Sequence, residues 1–142
     1  MLYLKEIKMV LFYGPDGDAV ENPDEEFLKD IIFNKDEDFW QDGSGDSSLE
    51  VEGCDEALLF FYDEPYGFFI MRHPDYLVPY DENGSTETVE HDVGGEPMVV
   101  PQCAYVNRKT AYKIITDYVK NKKFSDCVEL IDLYDIDFEN DF

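Results

Sequence analysis

Two apolar runs set the pattern of the chain. Ala57-Leu58-Leu59-Phe60-Phe61-Tyr62 and Phe68-Phe69-Ile70-Met71 flank Asp63-Glu64-Pro65-Tyr66-Gly67, which carries a turn-forming Pro and Gly. Short apolar runs bounded by turn residues and rich in aromatics predict strands covered on both faces. A hairpin of this kind belongs in the middle of a sheet, with a layer on each side.

The remaining elements are predicted around that hairpin. Met9-Val10-Leu11-Phe12-Tyr13 reads as a strand closed by the turn Gly14-Pro15-Asp16-Gly17-Asp18. Asn22-Pro23-Asp24-Glu25 opens a helix over about 23–33, with Asn22 as cap, Pro23 at the first position and Phe27, Leu28, Ile31 and Ile32 on one face. Asn34 to Ser48 is polar and turn-rich apart from Phe39-Trp40, and Leu49-Glu50-Val51-Glu52 alternates as a strand. Tyr76-Leu77-Val78-Pro79-Tyr80 adds a strand, which Pro79 would make an edge strand or an irregular segment. Thr86 to Val93 is weakly strand-like and ends at Gly94-Gly95, after which Pro97-Met98-Val99-Val100-Pro101 is extended between prolines.

The strongest helical periodicity comes from Ala111, Ile114, Ile115, Tyr118 and Val119, which predict a helix over about 107–121 capped by Asn107. Arg108 and Lys109 fall in its first turn, where the helix dipole disfavours cations, so either they are exposed or something negative lies nearby. Cys127 to Leu133 reads as a returning strand, and residues 134–142 as an edge strand or an acidic tail. The expectation is a single α+β domain over residues 1–142, a mostly antiparallel sheet centred on the hairpin at about 57–71, with two main helices.

Charge changes the picture more than any motif. Against 11 Lys and Arg stand 34 Asp and Glu, a formal net charge of −23. Such a chain repels nucleic acid and anionic membrane and attracts basic partners, although solubility alone would also account for the charge. The start, Met1-Leu2-Tyr3-Leu4-Lys5-Glu6, lacks the features of a signal peptide, and no apolar run approaches the roughly 20 residues of a membrane span. Cys54, Cys103 and Cys127 lack metal-ligand spacing, so reduced, buried thiols in a cytoplasmic protein are expected.

Candidate chemistry is thin. His73 and His91 have no ligand spacing and no nucleophile paired by motif, and read as surface or loop histidines. The acidic turn Asp42-Gly43-Ser44-Gly45-Asp46 fails as a calcium loop: from Asp42 the position needing Gly is Ser47 and that needing Glu is Gly53, and from Asp38 the twelfth residue is Leu49. Carboxylate pairs are unavoidable in so acidic a chain, and no glycine-rich phosphate loop opens a helix. No catalytic residue, metal or cofactor is implied, and the chain reads as a binding protein.

Aromatic residues within acidic segments suit an interface with a basic protein, since rings supply anchoring area and carboxylates accept bonds from Arg and Lys. The candidates are Trp40 with Asp36 and Asp38, and the turn residues Asp63, Glu64, Tyr66, Tyr80 and Glu82. Sheet packing for the rings and a solvated rim for the acids is the competing reading.

Gly95-Glu96-Pro97, then Val99-Val100-Pro101, then Val106 and the helix from Ala111 to Val119 with a final strand, resembles a family of bacterial polymorphic-toxin immunity proteins. The likeness covers roughly Gly94 to Leu130; where family members often end the last strand with Trp, this chain reads Cys127-Val128-Glu129-Leu130-Ile131. The resemblance implies a small cytoplasmic α+β antitoxin that blocks the active site of a cognate toxin, commonly a nuclease or deaminase with a basic cleft. The alternatives are an acidic mimic of nucleic acid that inhibits DNA-binding proteins, and a non-catalytic acidic housekeeping domain.

Overall fold

The computed structural model describes residues 9–124 and 127–136. In chain order the strands are β1 (Val10–Tyr13), β2 (Ala19–Glu21), β3 (Ser47–Val51), β4 (Ala57–Asp63), β5 (Gly67–His73), β6 (Leu77–Pro79), β7 (Thr88–Val93), β8 (Glu96–Pro101), β9 (Tyr105–Val106) and β10 (Leu130–Asp132). The helices are α1 (Glu25–Asn34), α2 (Glu37–Trp40) and α3 (Arg108–Asn121). The fold is α+β. One antiparallel sheet runs β10-β6-β5-β4-β3-β1-β2, with β9 added beside β5, and β7 and β8 form a separate hairpin.

The apolar runs at 57–62 and 68–71 are the two central strands, paired from Ala57 with His73 to Asp63 with Gly67. Their side chains alternate between two cores. Leu58, Phe60, Tyr62, Phe68 and Ile70 join one cluster with α1, Trp40 and α3; Phe61, Phe69 and Met71 join the other beneath the β7–β8 hairpin. Phe60, Phe61, Phe68 and Phe69 are wholly buried. Each such ring contributes about 1.5–3 kcal/mol, against about 0–1 for an exposed ion pair, so the sheet is held from its middle outward.

Gly67 begins β5 at φ +103, and a Cβ there would lie 2.2 Å from the Val106 carbonyl oxygen. Only glycine lets β9 approach that closely. Gly94 and Gly95, at φ +59 and +90, supply the two positive-φ positions of a tight hairpin turn.

Several local expectations change. The helix expected over 23–33 starts at Glu25 because Asp24 is the cap, accepting a bond from the Phe27 amide at 2.8 Å. Asn22 is occupied elsewhere: its Oδ1 accepts the Val10 amide at 3.0 Å and its own amide donates to the Val10 carbonyl at 2.7 Å. Strand β6 is not an edge, since it lies between β5 and β10. The Tyr80 amide donates to Glu129 on the β10 side, so the Pro79 nitrogen faces the β5 side, where pairing has already ended at Leu77.

The helix expected over 107–121 is α3, and Asn107 caps it by accepting from the Thr110 amide at 2.8 Å. The returning strand at 127–133 is shorter, Leu130–Asp132, and a 3-10 turn follows at Leu133–Asp135. Residues 1–8 and 137–142, part of the first strand's approach and of the acidic tail, lie outside the described residues. Among the described residues no helix is long and apolar enough to cross a membrane. No disulfide forms; Cys103 is buried as expected, whereas Cys54 and Cys127 are exposed.

Candidate functional site

The expected surface candidates divide into an interior set and an exterior set. Trp40 has no exposed area. It packs edge-on against Phe39 and Phe68, with ring centroids 5.0 and 5.1 Å away. As an interface anchor it is therefore corrected to a core residue. Its docking turns the neighbouring Phe39 outward, half-buried on the molecule's surface. An aromatic pair in a polar segment signalled burial of one ring, but not which one.

Asp63 is the second correction, being 7% exposed. Its position at the end of β4 places its side chain on the same face as Phe61, and there it meets three donors. His91 Nδ1 lies 2.7 Å and Gln41 Nε2 3.0 Å from one carboxylate oxygen, and the Tyr105 hydroxyl donates to the other at 2.6 Å. His91 Nε2 lies 2.7 Å from the Gly45 carbonyl oxygen.

Both ring nitrogens of His91 thus face acceptors and both must donate, which makes the ring an imidazolium. Burial opposes that charge, but the Asp63 carboxylate and the Gly45 carbonyl outweigh it and raise the His91 pKa above its ordinary value. Burial beside the same carboxylate raises the Tyr105 hydroxyl pKa strongly. His91 was expected on a loop or surface; it is 3% exposed, the one buried position of β7. His73 does lie exposed, at the end of β5.

This carboxylate–imidazolium–carbonyl alignment resembles a proton-transfer site in its residue types but lacks the necessary opening. A general base needs a lone pair directed at substrate, and here both nitrogens donate inward. The node fastens the β7–β8 hairpin to β4, β9 and the 42–46 loop. That loop is stitched on both sides: the Ser44 amide donates to Pro15 at 2.9 Å, and the Gly94 amide donates to Ser44 at 2.8 Å.

The exterior set is Asp36, Asp38, Glu64, Tyr66 and Glu82, all exposed, with Tyr80 half-buried. Asp36 caps α2, and Glu37 Oε2 accepts the Glu64 amide at 2.8 Å, so the 36–38 acids and the 64–66 turn form one ridge. Tyr66 leans on Tyr105, 5.7 Å between centroids. Tyr80 and Glu82 stand apart; among the described residues no hydrogen bond, ion pair or ring contact joins them to this ridge.

Beside the ridge lies Arg108, whose guanidinium sits 4.5 Å over the Tyr62 ring and 3.8 Å from Glu64. It donates to the Ile32 and Lys35 carbonyl oxygens at 2.5 and 2.8 Å. The negative neighbours suggested by a cation at a helix start are the carboxyl-terminal end of α1 and the Glu64 carboxylate.

On the other side of α2 a groove of about 320 Å³ opens between the β1–β2 turn and α1. Phe12, Val20, Phe27, Ile31 and Phe39 line it, with Asp16, Asp18, Asp30 and Lys35 also at its wall. Sequence reasoning did not join these residues, because they come from four separate stretches. Among the described residues no group of three or more His, Cys, Asp and Glu is arranged to hold a metal ion. No protein-family model, curated protein or solved structure matches the chain.

Proposed function

We propose that the protein is an immunity protein: a non-catalytic antitoxin that binds a basic toxin domain and occludes its active site. The observation that carries this reading is the excess of exposed, unneutralised carboxylate. Against the net charge of −23, only four carboxylates besides Asp63 form ion pairs among the described residues, namely Asp75, Glu64, Asp117 and Glu25. A surface so charged raises the rate of encounter with a cationic cleft, as an inhibitor that must outpace damage to its own cell requires.

The polymorphic-toxin resemblance supports the same reading. The segment that carries it comprises the Gly94-Gly95 turn, β8, β9, α3 and β10. The surface candidates are the ridge of Asp36, Asp38, Glu64 and Tyr66, with Tyr80 and Glu82 as a second, separate patch.

The test is capture of partners by the tagged protein at low and at high salt, followed by neutralisation of the purified partner. One basic protein that survives high salt, and whose toxicity is abolished by an equimolar amount of this chain, is the expected result. Many basic proteins lost together as salt rises would indicate an acidic mimic of nucleic acid instead. No partner under either condition would overturn the reading in favour of a housekeeping domain.

A further inference from the structure

The groove between the β1–β2 turn and α1 combines two properties. Its floor is apolar and aromatic, formed by Phe12, Phe27 and Phe39. Its wall carries Asp16, Asp18 and Asp30 against one cation, Lys35, and among the described residues none of the three carboxylates forms an ion pair. The existing hydrogen bonds of Asp16 and Asp30, to the Asp18 amide at 3.0 Å and the Asn34 amide group at 2.9 Å, each leave carboxylate acceptor capacity outward.

We propose that this groove is the seat for an arginine side chain of a basic protein partner. The inference rests on the reading of the chain as a binder of a basic protein, and it names where one anchor of that partner lodges. Arginine is the side chain whose two requirements match the two properties: a planar cation that stacks on aromatic faces and forks onto carboxylates, on an apolar stem. One cation, the chain's own Lys35, already lies 5.7 Å over the Phe39 ring, so an incoming guanidinium takes that face by displacing the Lys35 ammonium.

Size and charge narrow the occupant. At about 320 Å³ the groove sits at the bottom of the range for small-molecule pockets, enough for one long side chain. A nucleotide would set its phosphates against three carboxylates with only Lys35 to offset them. The acid-bearing turn is also fixed before binding, by Gly14–Asp18 and Gly17–Gly14 backbone bonds of 3.0 and 2.9 Å and by the Ser44 bond to Pro15, which lowers the cost of ordering it.

The probe is a short acetylated, amidated peptide with two arginines, titrated into the isotopically labelled full chain and followed by amide chemical shifts. A peptide of the same sequence with citrulline, the uncharged isostere, is the control. The expected result is saturable shifts confined to residues 14–20, 27–35 and 39, with citrulline at least about tenfold weaker. The triple substitution D16N/D18N/D30N, which keeps each side-chain acceptor oxygen, should weaken the arginine peptide to the citrulline level.

Shifts spread over the whole acidic surface, or equal affinity for both peptides, would overturn the site. So would the absence of saturation. Should the triple variant fold poorly, the citrulline comparison on the unaltered chain decides alone. If the peptide misses the groove while the chain still neutralises a captured toxin, this site falls and the antitoxin reading stands. If the peptide binds the groove but no toxin is neutralised, the reverse holds.

Discussion

His91 and Phe61 lie face to face, 3.8 Å between ring centroids and 4° between planes. A cation stacked flat on a buried ring, with an acceptor at each nitrogen, joins the outer hairpin to the centre of the sheet through one side chain. The contribution of that pair depends on pH. Below the ordinary histidine value of 6.5, folded and unfolded chains both carry the proton and the stabilisation is complete. As pH rises the unfolded chain releases its proton first, so stability falls until pH has passed the raised folded value. Urea midpoints measured from about pH 6 to about pH 9 should therefore decline, and H91Q should flatten that decline.

Removing the imidazole outright leaves Asp63 buried without its cation. H91A is expected to cost about 3–5 kcal/mol, and Y105F, which removes one bond to the same carboxylate, about 1.5–3. If H91A and D63N each cost little and add independently in a double-mutant cycle, the node does not hold the hairpin.

Gly45 and Gly95 make a matched pair of tests. Both have positive φ, +78 and +90, but a Cβ on Gly45 would lie 2.5 Å from the Asp92 carbonyl oxygen while one on Gly95 meets open space. Alanine at Gly95 should cost only the conformational term, about 1–2 kcal/mol. Alanine at Gly45 adds the clash, and amide exchange across β7 and β8 should accelerate in that variant.

Trp40 is the chain's single tryptophan, which makes its burial directly observable. Its fluorescence should resist quenching by acrylamide and stay unchanged when a partner binds. W40A should cost about 3–5 kcal/mol. W40F should cost less than half of that, because the indole N–H has no acceptor among the described residues and phenylalanine removes that orphan donor.

Charge reversal at the exposed Asp38 puts a cation in the first turn of α2, at a cost of about 0.3–1 kcal/mol, and tests the ridge. D38K should slow association with a basic partner by several-fold at low salt, with little effect at high salt, in stopped-flow or surface-binding traces.

The central hairpin was legible because its signal is local: two apolar runs and a five-residue turn predict β4 and β5 without reference to anything distant. Both main helices were legible for the same reason, through spaced apolar residues and a cap. His91 was not. Its meaning comes from Asp63, 28 positions away, and Gly45, 46 positions away, and a lone histidine in the polar run Thr88–Val93 carries no mark of either. The groove was hidden similarly, being assembled from a turn, a short strand, a helix face and α2. Trp40 misled because acidic surroundings in sequence say nothing about which way α2 turns.

The two outermost strands of the main sheet, β2 and β10, are only three residues each, and each ends in a carboxylate, Glu21 or Asp132. Strand-by-strand stacking into fibrils needs six or seven contiguous residues of apolar, uncharged edge. The seven-residue strands that could serve as such templates are sealed in the middle; among the described residues the margins of the main sheet are short and negatively charged, and the six-residue strands of the separate hairpin carry Glu90 and Asp92 on β7 and Pro97 and Pro101 on β8. Edge-to-edge addition of further copies through the described strands is therefore disfavoured, despite the aromatic content of the strands at the centre.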